Sequence, residues 1–194
     1  KGIKLLCVIA PNKVRYMPEF LPQRLSQQAG KVSNYNDYKR RLVESGISLL
    51  DMNEEFLRLK DTVLNPLFPN TGIHWTGYGM HMGISKVIDR LEILGQRNLI
   101  NMRYADWVMK DSTISSDRDM VELMNLLYTP KTELLAFPQY NLDTTGGAEP
   151  AKVLIIGDSF FWNFYAFDIR MKIFHSDSKF LYYNKTQMDM MGAQ

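Results

Sequence analysis

The stretch that decides the fold is "VLIIGDSFFW", residues 153–162. Its aliphatic run ends at Gly157 and has the pattern of a buried strand. Such a strand would place Ser159 at its carboxyl end, where N–H groups at the start of a following helix can stabilise an oxyanion. The motif is not the G-x-S-x-G nucleophile elbow, because Phe161 stands at the second glycine position. Taken alone, a strand-to-helix turn capped by Asp158 or Ser159 is the simpler interpretation.

Strands and helices alternate along the rest of the chain. Further strands are predicted for "IKLLCVIA" (3–10), "ISLLDM" (47–52) and "FLYY" (180–183). Helices are predicted for 53–64, for 77–95 with Thr76 as N-cap and Gly95 at its end, and for 116–128. This alternation predicts an α/β fold with a mostly parallel sheet. Sites in such sheets lie beyond the carboxyl ends of the strands, which is where Ser159 would stand.

The composition is that of an ordinary globular domain. The chain has 194 residues, of which 45% are hydrophobic and 23% charged, and its net charge is +2. This near balance of basic and acidic residues argues against a nucleic-acid partner. The sequence begins without Met, enters a strand almost at once and stops soon after another. We therefore expect a single domain over 1–194 that is a piece of a longer protein.

The sequence lacks the motifs of disulfide-bonded, metal-binding and nucleotide-binding proteins. The single cysteine, Cys7, allows no intrachain disulfide. There is no H-E-x-x-H, no cysteine pair and no close His/Asp cluster, so no metal is expected. There is also no G-x-G-x-x-G or Walker loop, and we expect no cofactor. No signal peptide or transmembrane segment is recognisable.

A histidine in "LFPNTGIHWTGYG", residues 67–79, is the natural partner for the serine. A serine hydroxyl needs a base within hydrogen-bond reach to become a useful nucleophile. His74 lies in a loop just before a predicted helix, and the positive end of that helix favours the neutral imidazole that can accept a proton. His81 is expected to pack or face solvent, and His175 to lie in an exposed turn.

The two motifs together resemble a known family. "HWTGYG" followed by "GDSF" is similar to the SGNH-hydrolase-like domain of the alginate O-acetyltransferase group (AlgX/AlgJ-like), in which a D-x-H-W signature precedes the GDS-type serine. The resemblance extends to "VIAPNK" near the start and to "YKRRL" and "SGISLLDM" in between. It rests on motif order and spacing as well as on residue type.

The resemblance implies a three-layer α/β/α sandwich. It also implies an enzyme that moves or removes acetyl groups on an exported polysaccharide through an acyl-serine intermediate, with Ser159 as nucleophile and His74 as base. The expected partners are the polysaccharide, an acetyl donor and other exopolysaccharide-assembly proteins. The expected location is the periplasm or cell envelope.

One position departs from the family pattern. The family has an aspartate two residues before the histidine, where this chain has Gly72. In a serine-protease triad, disabling the acid costs about 10⁴ in rate. Three interpretations stay open: another acid, Asp51 or Asp61, orients His74; a backbone carbonyl does so; or the domain binds glycan without catalysis. Asp158, adjacent to the serine, is expected to brace the turn instead.

Four further residues are candidates for supporting roles. Asn12 could donate to the oxyanion and Lys13 could meet an acidic sugar, although a plain turn after the strand explains both as well. Trp75 could stack on a sugar ring, although packing is the commoner role of such a residue. Tyr78 could reach the site from the first turn of its helix.

Two hypotheses of different classes therefore follow. The first is a serine-dependent O-acetyltransferase or acetylesterase, for which the sequence does not choose between transfer and hydrolysis. The second is a non-catalytic glycan-binding or assembly protein on the same scaffold, motivated by Gly72.

Overall fold

The computed structural model describes residues 2–26, 33–100, 102, 105–111, 114–142, 147–167, 169–182 and 186–189. The chain forms two compact units, Lys1–Leu64 and Asn65–Gln194. Each unit combines helices with short strands, in keeping with the α/β class predicted from the sequence. Residue 183, the last of the predicted strand at 180–183, lies outside the described residues.

The first unit contains a pair of parallel strands. β1 (Leu6–Ile9) pairs with β2 (Ser48–Asp51), and both lie inside runs predicted as strands. Parallel neighbours need a crossover connection, which is helical here. The elements between and after the strands are α1 (Lys13–Tyr16), a 3₁₀ helix (Pro18–Phe20), α2 (Gln23–Ser26), α3 (Asn34–Glu44) and α4 (Met52–Leu59).

Local signals set the ends of the helices in this unit. Ser33 caps α3 by accepting a hydrogen bond from the Asn36 N–H. Just after α3, Gly46 adopts a φ of 67°, the left-handed conformation that favours glycine at a helix end. Asp51, the last residue of β2, caps α4 by accepting a hydrogen bond from the Asn53 N–H at 3.0 Å.

The second unit contains the remaining strands and helices. β3 (Ala105–Lys110) and β4 (Leu135–Tyr140) pair antiparallel, β5 (Leu154–Gly157) and β6 (Lys179–Tyr182) pair parallel, and β6 and β7 (Thr186–Asp189) pair antiparallel. Its elements are α5 (Gly77–Gly95), β3 (Ala105–Lys110), α6 (Ser115–Met124), β4 (Leu135–Tyr140), β5 (Leu154–Gly157), a 3₁₀ helix (Ser159–Phe161), α7 (Trp162–Ala166), α8 (Arg170–Ile173), β6 (Lys179–Tyr182) and β7 (Thr186–Asp189).

Helix α5 begins and ends at the residues predicted for it. Thr76 is its N-cap, because the Thr76 hydroxyl oxygen accepts a hydrogen bond from the Gly79 N–H at 3.0 Å. The same hydroxyl donates to the Pro66 carbonyl at 2.7 Å, which fixes the preceding loop to the helix start. A Cβ on Gly79 would lie 2.3 Å from the Leu67 carbonyl oxygen, so the close approach requires glycine. The left-handed residue after the helix is Gln96, not Gly95.

Helix α6 is shorter than the predicted helix at 116–128. It ends at Met124 because Asn125 adopts the left-handed conformation, with a φ of 47°. Asparagine tolerates this conformation better than most residues. The apolar residues beyond Asn125 continued the helical pattern in the sequence, so periodicity alone overran the true end.

β5 is not the buried strand that its aliphatic run predicted. Leu154 and Ile156 are 64% and 68% exposed, whereas Ile155 and Gly157 point to a half-buried face. A short apolar run does not by itself distinguish one buried face from two. Among the described residues, no helix is both long and apolar enough to cross a membrane.

Candidate active site

Ser159 stands at the carboxyl end of β5, as the sequence predicted. The strand ends at Gly157, and the 3₁₀ helix begins at Ser159. Asp158 is the N-cap of this turn, since its Oδ1 accepts a hydrogen bond from the Phe160 N–H at 3.0 Å. The predicted bracing role of Asp158 is therefore confirmed, and the turn presents the Ser159 side chain beyond the strand.

The His74 imidazole contacts the Ser159 hydroxyl. His74 Nε2 lies 2.8 Å from Ser159 Oγ, a hydrogen-bonding distance. The His74 side chain is 15% exposed, and its ring centroid lies 4.9 Å from that of Phe160. The loop before α5 and the turn after β5 thus bring together two residues 85 positions apart in the sequence.

Asp119 of α6 holds the other side of the imidazole. Its Oδ2 lies 2.5 Å from His74 Nδ1, and its Oδ1 accepts a hydrogen bond from the Ile73 N–H at 2.8 Å. The carboxylate therefore binds both the ring and the backbone that carries it. With a proton on Nδ1 that donates to Asp119, Nε2 is left as an acceptor for the Ser159 hydroxyl.

The glycine that departs from the family pattern lies against the first turn of α6. A Cβ on Gly72 would come within 2.5 Å of the Ser116 carbonyl oxygen and 2.7 Å of the Asp117 carbonyl carbon. A residue with a side chain does not fit at this position unless the loop or the helix moves. Gly72 therefore permits the close packing through which α6 supplies the carboxylate of Asp119.

Hydrogen bonds on both sides of Gly72 fix the loop to the helix. The Thr71 hydroxyl donates to the Asp117 carbonyl at 2.6 Å, and the Val121 N–H donates to the Thr71 carbonyl at 3.2 Å. The segment from Thr71 to His74 is thus anchored to α6 at Thr71, at Ile73 and at His74 itself. We call this segment the docked loop.

The acids named from the sequence have other surroundings. Asp51, in the first unit, accepts hydrogen bonds from the Tyr35 hydroxyl at 2.5 Å and the Asn53 N–H, and pairs with Lys39 at 2.9 Å. Burial by itself would raise the pKa of Asp51, but the hydrogen bonds from Tyr35 and Lys39 outweigh it and lower the pKa. Asp61, also in the first unit, is exposed just after α4.

The interpretation that Asp51 or Asp61 orients the imidazole is therefore corrected: the carboxylate on Nδ1 is that of Asp119. Sequence position favoured Asp51 because it ends a strand. Asp119 lies inside a helix in a run of polar residues, and only the packing of α6 against the docked loop distinguishes it.

The residues predicted to support the site make contacts of their own within the fold. Asn12, in the first unit, caps α1 by accepting a hydrogen bond from the Arg15 N–H at 3.1 Å, and Lys13 is the first residue of that helix. Trp75 is 5% exposed and packs on Phe160, so its ring offers no face to a ligand.

The Tyr78 ring contacts Trp107 of β3, with ring centroids 4.8 Å apart. The two histidines outside the site also match their structural expectations. His81 is buried between Trp107 and Tyr140, and burial lowers the pKa of His81 to about 4. His175 accepts a hydrogen bond from the Asp177 N–H in a turn.

A cavity of about 280 Å³ opens beside the Ser159 and His74 side chains. Most of the cavity lining was not predicted from the sequence, because it comes from α6 with the residue before it and from α7. The cavity is lined by His74, Ile114, Ser115, Ser116, Asp119, Glu122, Ser159, Trp162, Asn163 and Ala166. The spacing 115, 116, 119 and 122 is that of one helix face, a signal that becomes readable only once Asp119 is known to belong to the site.

Asp117 is buried beneath the docked loop and does not line the cavity. Its Oδ2 accepts a hydrogen bond from the Ile114 N–H at 3.1 Å. Burial raises the pKa of Asp117 to about 6, against the effect of that hydrogen bond. Within the described ranges, no three His, Cys, Asp or Glu side chains converge as a metal site would require.

A serine, a histidine and an aspartate joined in this order, on an α/β scaffold, form the arrangement of serine hydrolases and their acyltransferase relatives. The chain belongs to the family described as "SGNH hydrolase-like domain, acetyltransferase AlgX", which it matches over residues 1–169.

The fold is shared with a solved structure, and a second one is similar at a lower score. The O-acetyltransferase domain of Pseudomonas putida AlgJ is similar at a TM-score of 0.52 and 16% identity, over 87% of this chain and 58% of that one. The chain thus spans little more than half of that structure's length. Bacillus cereus PatB1, solved with a sulfonyl adduct, is similar at a TM-score of 0.48 and 8% identity, over 82% of this chain and 67% of that one. Curated protein sequences contain no match.

Proposed function

We propose that this chain is a serine-dependent O-acetyltransferase or acetylesterase that acts on a polysaccharide through an acyl-serine intermediate. The observation that carries the proposal is the continuous line of contacts from Ser159 through His74 to Asp119. Each member has the partner that its role requires: the hydroxyl has a base, and the base has an acid.

In the first half-reaction, the Ser159 Oγ attacks the carbonyl carbon of an acetyl ester. His74 Nε2 takes the hydroxyl proton as the new C–O bond forms, and Asp119 stabilises the imidazolium through Nδ1. The tetrahedral intermediate then collapses, the bond to the donor oxygen breaks, and His74 returns the proton to that oxygen. The acetyl group is left on Ser159.

The oxyanion needs a donor close to Ser159. The Phe160 N–H is already bonded to the Asp158 carboxylate and the Phe161 N–H to the Asp158 carbonyl. The N–H of Ser159 itself, at the first position of the turn, is the donor that we assign to this role. The cap made by Asn12 on α1 gives no support to its predicted part in the oxyanion hole.

In the second half-reaction, an acceptor hydroxyl attacks the acetyl carbon while His74 takes its proton. The bond from the acetyl carbon to Ser159 Oγ then breaks, and His74 returns the proton to that oxygen. A sugar hydroxyl as acceptor makes the chain a transferase, and water makes it an esterase. Both outcomes use the same three side chains, and the choice depends on how well the cavity holds the sugar and excludes water.

The alternative of a glycan-binding protein without catalysis rested on Gly72. The carboxylate of Asp119 fills the role that the missing aspartate would have had, so this alternative loses its motivating observation. An acetyl donor, assembly partners and an exported location remain proposals that rest on the family.

The proposal is tested by acetyl release from a model acetyl ester. Ser159→Ala should reduce the rate by at least about 10⁴-fold, because no other hydroxyl contacts His74 Nε2 among the described residues. Ser85→Ala is a matched control, since the Ser85 hydroxyl donates within α5 to the His81 carbonyl and lies outside the cavity lining. Equal rates for wild type and Ser159→Ala would refute the catalytic role.

A further inference from the structure

Two pairs of consecutive residues meet at the active site. His74 ends the docked loop and Trp75 follows it, while Ser159 and Phe160 begin the 3₁₀ helix after β5. The Ser159 hydroxyl lies 2.8 Å from His74 Nε2. The Phe160 ring contacts the rings of both His74 and Trp75, with centroid distances of 4.9 Å and 5.3 Å. The turn that presents the serine therefore also places an aromatic ring against the histidine.

The two hydrogen bonds of the imidazole do not by themselves fix the plane of its ring. They hold Nδ1 to Asp119 and Nε2 to Ser159, at the two ends of one line through the ring. Hydrogen bonds weaken steeply only when their angle falls below about 120°, so a moderate tilt of the ring about this line costs little. A second ring packed against the imidazole opposes the tilt, because close-packed side chains leave little room for movement. Among the described residues, Phe160 supplies that ring.

The Phe160 ring is itself held in place. The Phe160 N–H donates to Asp158 Oδ1 at 3.0 Å, which fixes the backbone from which the ring projects. The ring meets that of Trp75 edge-on, at an interplanar angle of 82°, which is a favourable arrangement for two aromatic rings. Trp75 in turn lies against α5 at Gly83, where a Cβ would come within 2.7 Å of Trp75 Cζ3. A packed series of rings thus connects the imidazole to helix α5.

We infer that Phe160 is a positioning residue for His74. Its ring, held by Trp75, keeps the imidazole in the plane in which Nδ1 donates to Asp119 and Nε2 accepts from Ser159. The inference rests on the proposed function and adds a residue to the same site. Phe160 is not part of the cavity lining, so it acts through the base and not by touching the substrate. A catalytic group misplaced by about 1 Å can lose about 10²-fold in rate, so control of the tilt is enough to affect catalysis.

The kinetic test compares wild type with Phe160→Leu and Phe160→Tyr on a model acetyl ester. Leucine keeps an apolar side chain but removes the ring, so the imidazole becomes free to tilt. We expect kcat of Phe160→Leu to fall by about 10²-fold. KM should stay at the wild-type value, because the lost contact serves the base and not the bound substrate. Tyrosine keeps the ring, so Phe160→Tyr should retain the wild-type kcat. An unchanged kcat in Phe160→Leu, or an equal loss in Phe160→Tyr, would overturn the inference.

Phe161→Leu is the matched control for Phe160→Leu. Phe161 is the next residue of the same 3₁₀ helix, and its ring packs on Phe164 and Phe180, each at a centroid distance of 4.5 Å. This variant should melt at a lower temperature because packing is lost, but it should keep the wild-type kcat. An equal loss of kcat in both leucine variants would contradict the role of Phe160. If Phe160→Leu fails to fold, the same loss is expected in Phe160→Met, whose flexible side chain adapts to irregular spaces.

A spectroscopic measurement separates this inference from the proposed function. Nitrogen-15 spectra in mildly alkaline buffer report which ring nitrogen of a neutral histidine carries the proton, and the chain has three histidines to assign. His74 should show one tautomer, with the proton on Nδ1, in wild type and in Phe161→Leu, and a mixture of tautomers in Phe160→Leu. That result supports the inference even if wild type shows no Ser159-dependent turnover, which would refute only the catalytic role. A single tautomer of His74 in Phe160→Leu would overturn the inference.

Discussion

Two aspartates of this protein make contrasting use of a carboxylate. Asp51, in the first unit, accepts hydrogen bonds from Tyr35, Lys39 and the Asn53 N–H. Its carboxylate is therefore paired with a cation and caps the start of a helix. Asp119, in the second unit, binds the Ile73 N–H with one oxygen and the His74 ring with the other.

The difference shows what makes an acid structural or functional. The donors around Asp51 belong to α3 and α4 of the same unit, and they leave its charge satisfied. The partners of Asp119 belong to the docked loop, and one of them is an imidazole that also contacts a hydroxyl. The first arrangement stabilises a fold, whereas the second favours one tautomer of an imidazole that contacts a hydroxyl.

Of the changes that test this comparison, Asp119→Asn has the largest expected effect. Asp119→Asn should reduce kcat on a model acetyl ester by about 10⁴-fold, as the corresponding change does in a serine-protease triad. The asparagine amide can donate to Nδ1, which favours the wrong tautomer and places a proton on Nε2. Asp51→Asn is the control for activity and should leave kcat unchanged. A loss of less than tenfold in Asp119→Asn would contradict the assigned role.

A smaller loss is expected when the docked loop is displaced. Gly72→Ala places a Cβ within 2.5 Å of the Ser116 carbonyl oxygen, so the loop must shift. Misplacing a catalytic group by about 1 Å can cost about 10²-fold in rate, and we expect a loss of that order in kcat. The overpacking should also lower the free energy of unfolding by about 1–3 kcal/mol.

Gly95→Ala is the matched control for Gly72→Ala. A Cβ on Gly95 would meet Arg97 at 3.5 Å, an ordinary contact at the end of α5. Alanine is the better helix former, so stability should be unchanged or slightly raised, and kcat should stay at the wild-type value. If both glycine variants behaved alike, close packing of the docked loop would not be the cause of the loss.

The complementary effect at Asp51 is on stability. Asp51→Asn should lower the free energy of unfolding by about 1–3 kcal/mol at neutral pH, because the donors of Tyr35 and Lys39 lose a charged acceptor. The pKa of Asp51 is lowered in the folded state, so its contribution is present above the ordinary pKa and is lost as the pH falls through the lowered value. Denaturant unfolding of wild type and variant across acidic pH measures this, and the difference should vanish at the lowest pH.

The smallest effect on stability is expected at Asp117, whose pKa is shifted in the opposite direction from that of Asp51. Burial first, and then the nearby Glu133 and Asp119, raise the pKa of Asp117 to about 6 from its ordinary value of 3.8. Between these values the folded state binds more protons than the unfolded state, so this group lowers the free energy of unfolding as the pH rises from about 4 to about 6.

Asp117→Asn cannot titrate and should flatten that part of the stability curve. The Ile114 N–H still finds an oxygen acceptor in the amide, so the fold should be retained. An unchanged dependence on pH in the variant would show that the pKa of Asp117 is not raised in the folded state.

Local sequence patterns predicted much of the fold and part of the site. Thr76 was recognisable as an N-cap, and the run up to Gly157 as a strand that ends beside Ser159. These features depend on neighbours in sequence, which is why they can be predicted. The burial of β5 was not predictable, because the faces of a strand acquire their neighbours only when other elements pack on them.

The sequence by itself determined the α/β class, the serine at a strand end and the histidine before a helix. It also identified Gly72 as the departure from the family pattern, but offered no way to know what replaced the missing acid. Only the tertiary structure decided that Asp119 orients His74, because α6 reaches the docked loop through the space that a glycine leaves. An acid inside a helix gains a functional role from the element that packs against it, and that packing is not written in the neighbouring residues.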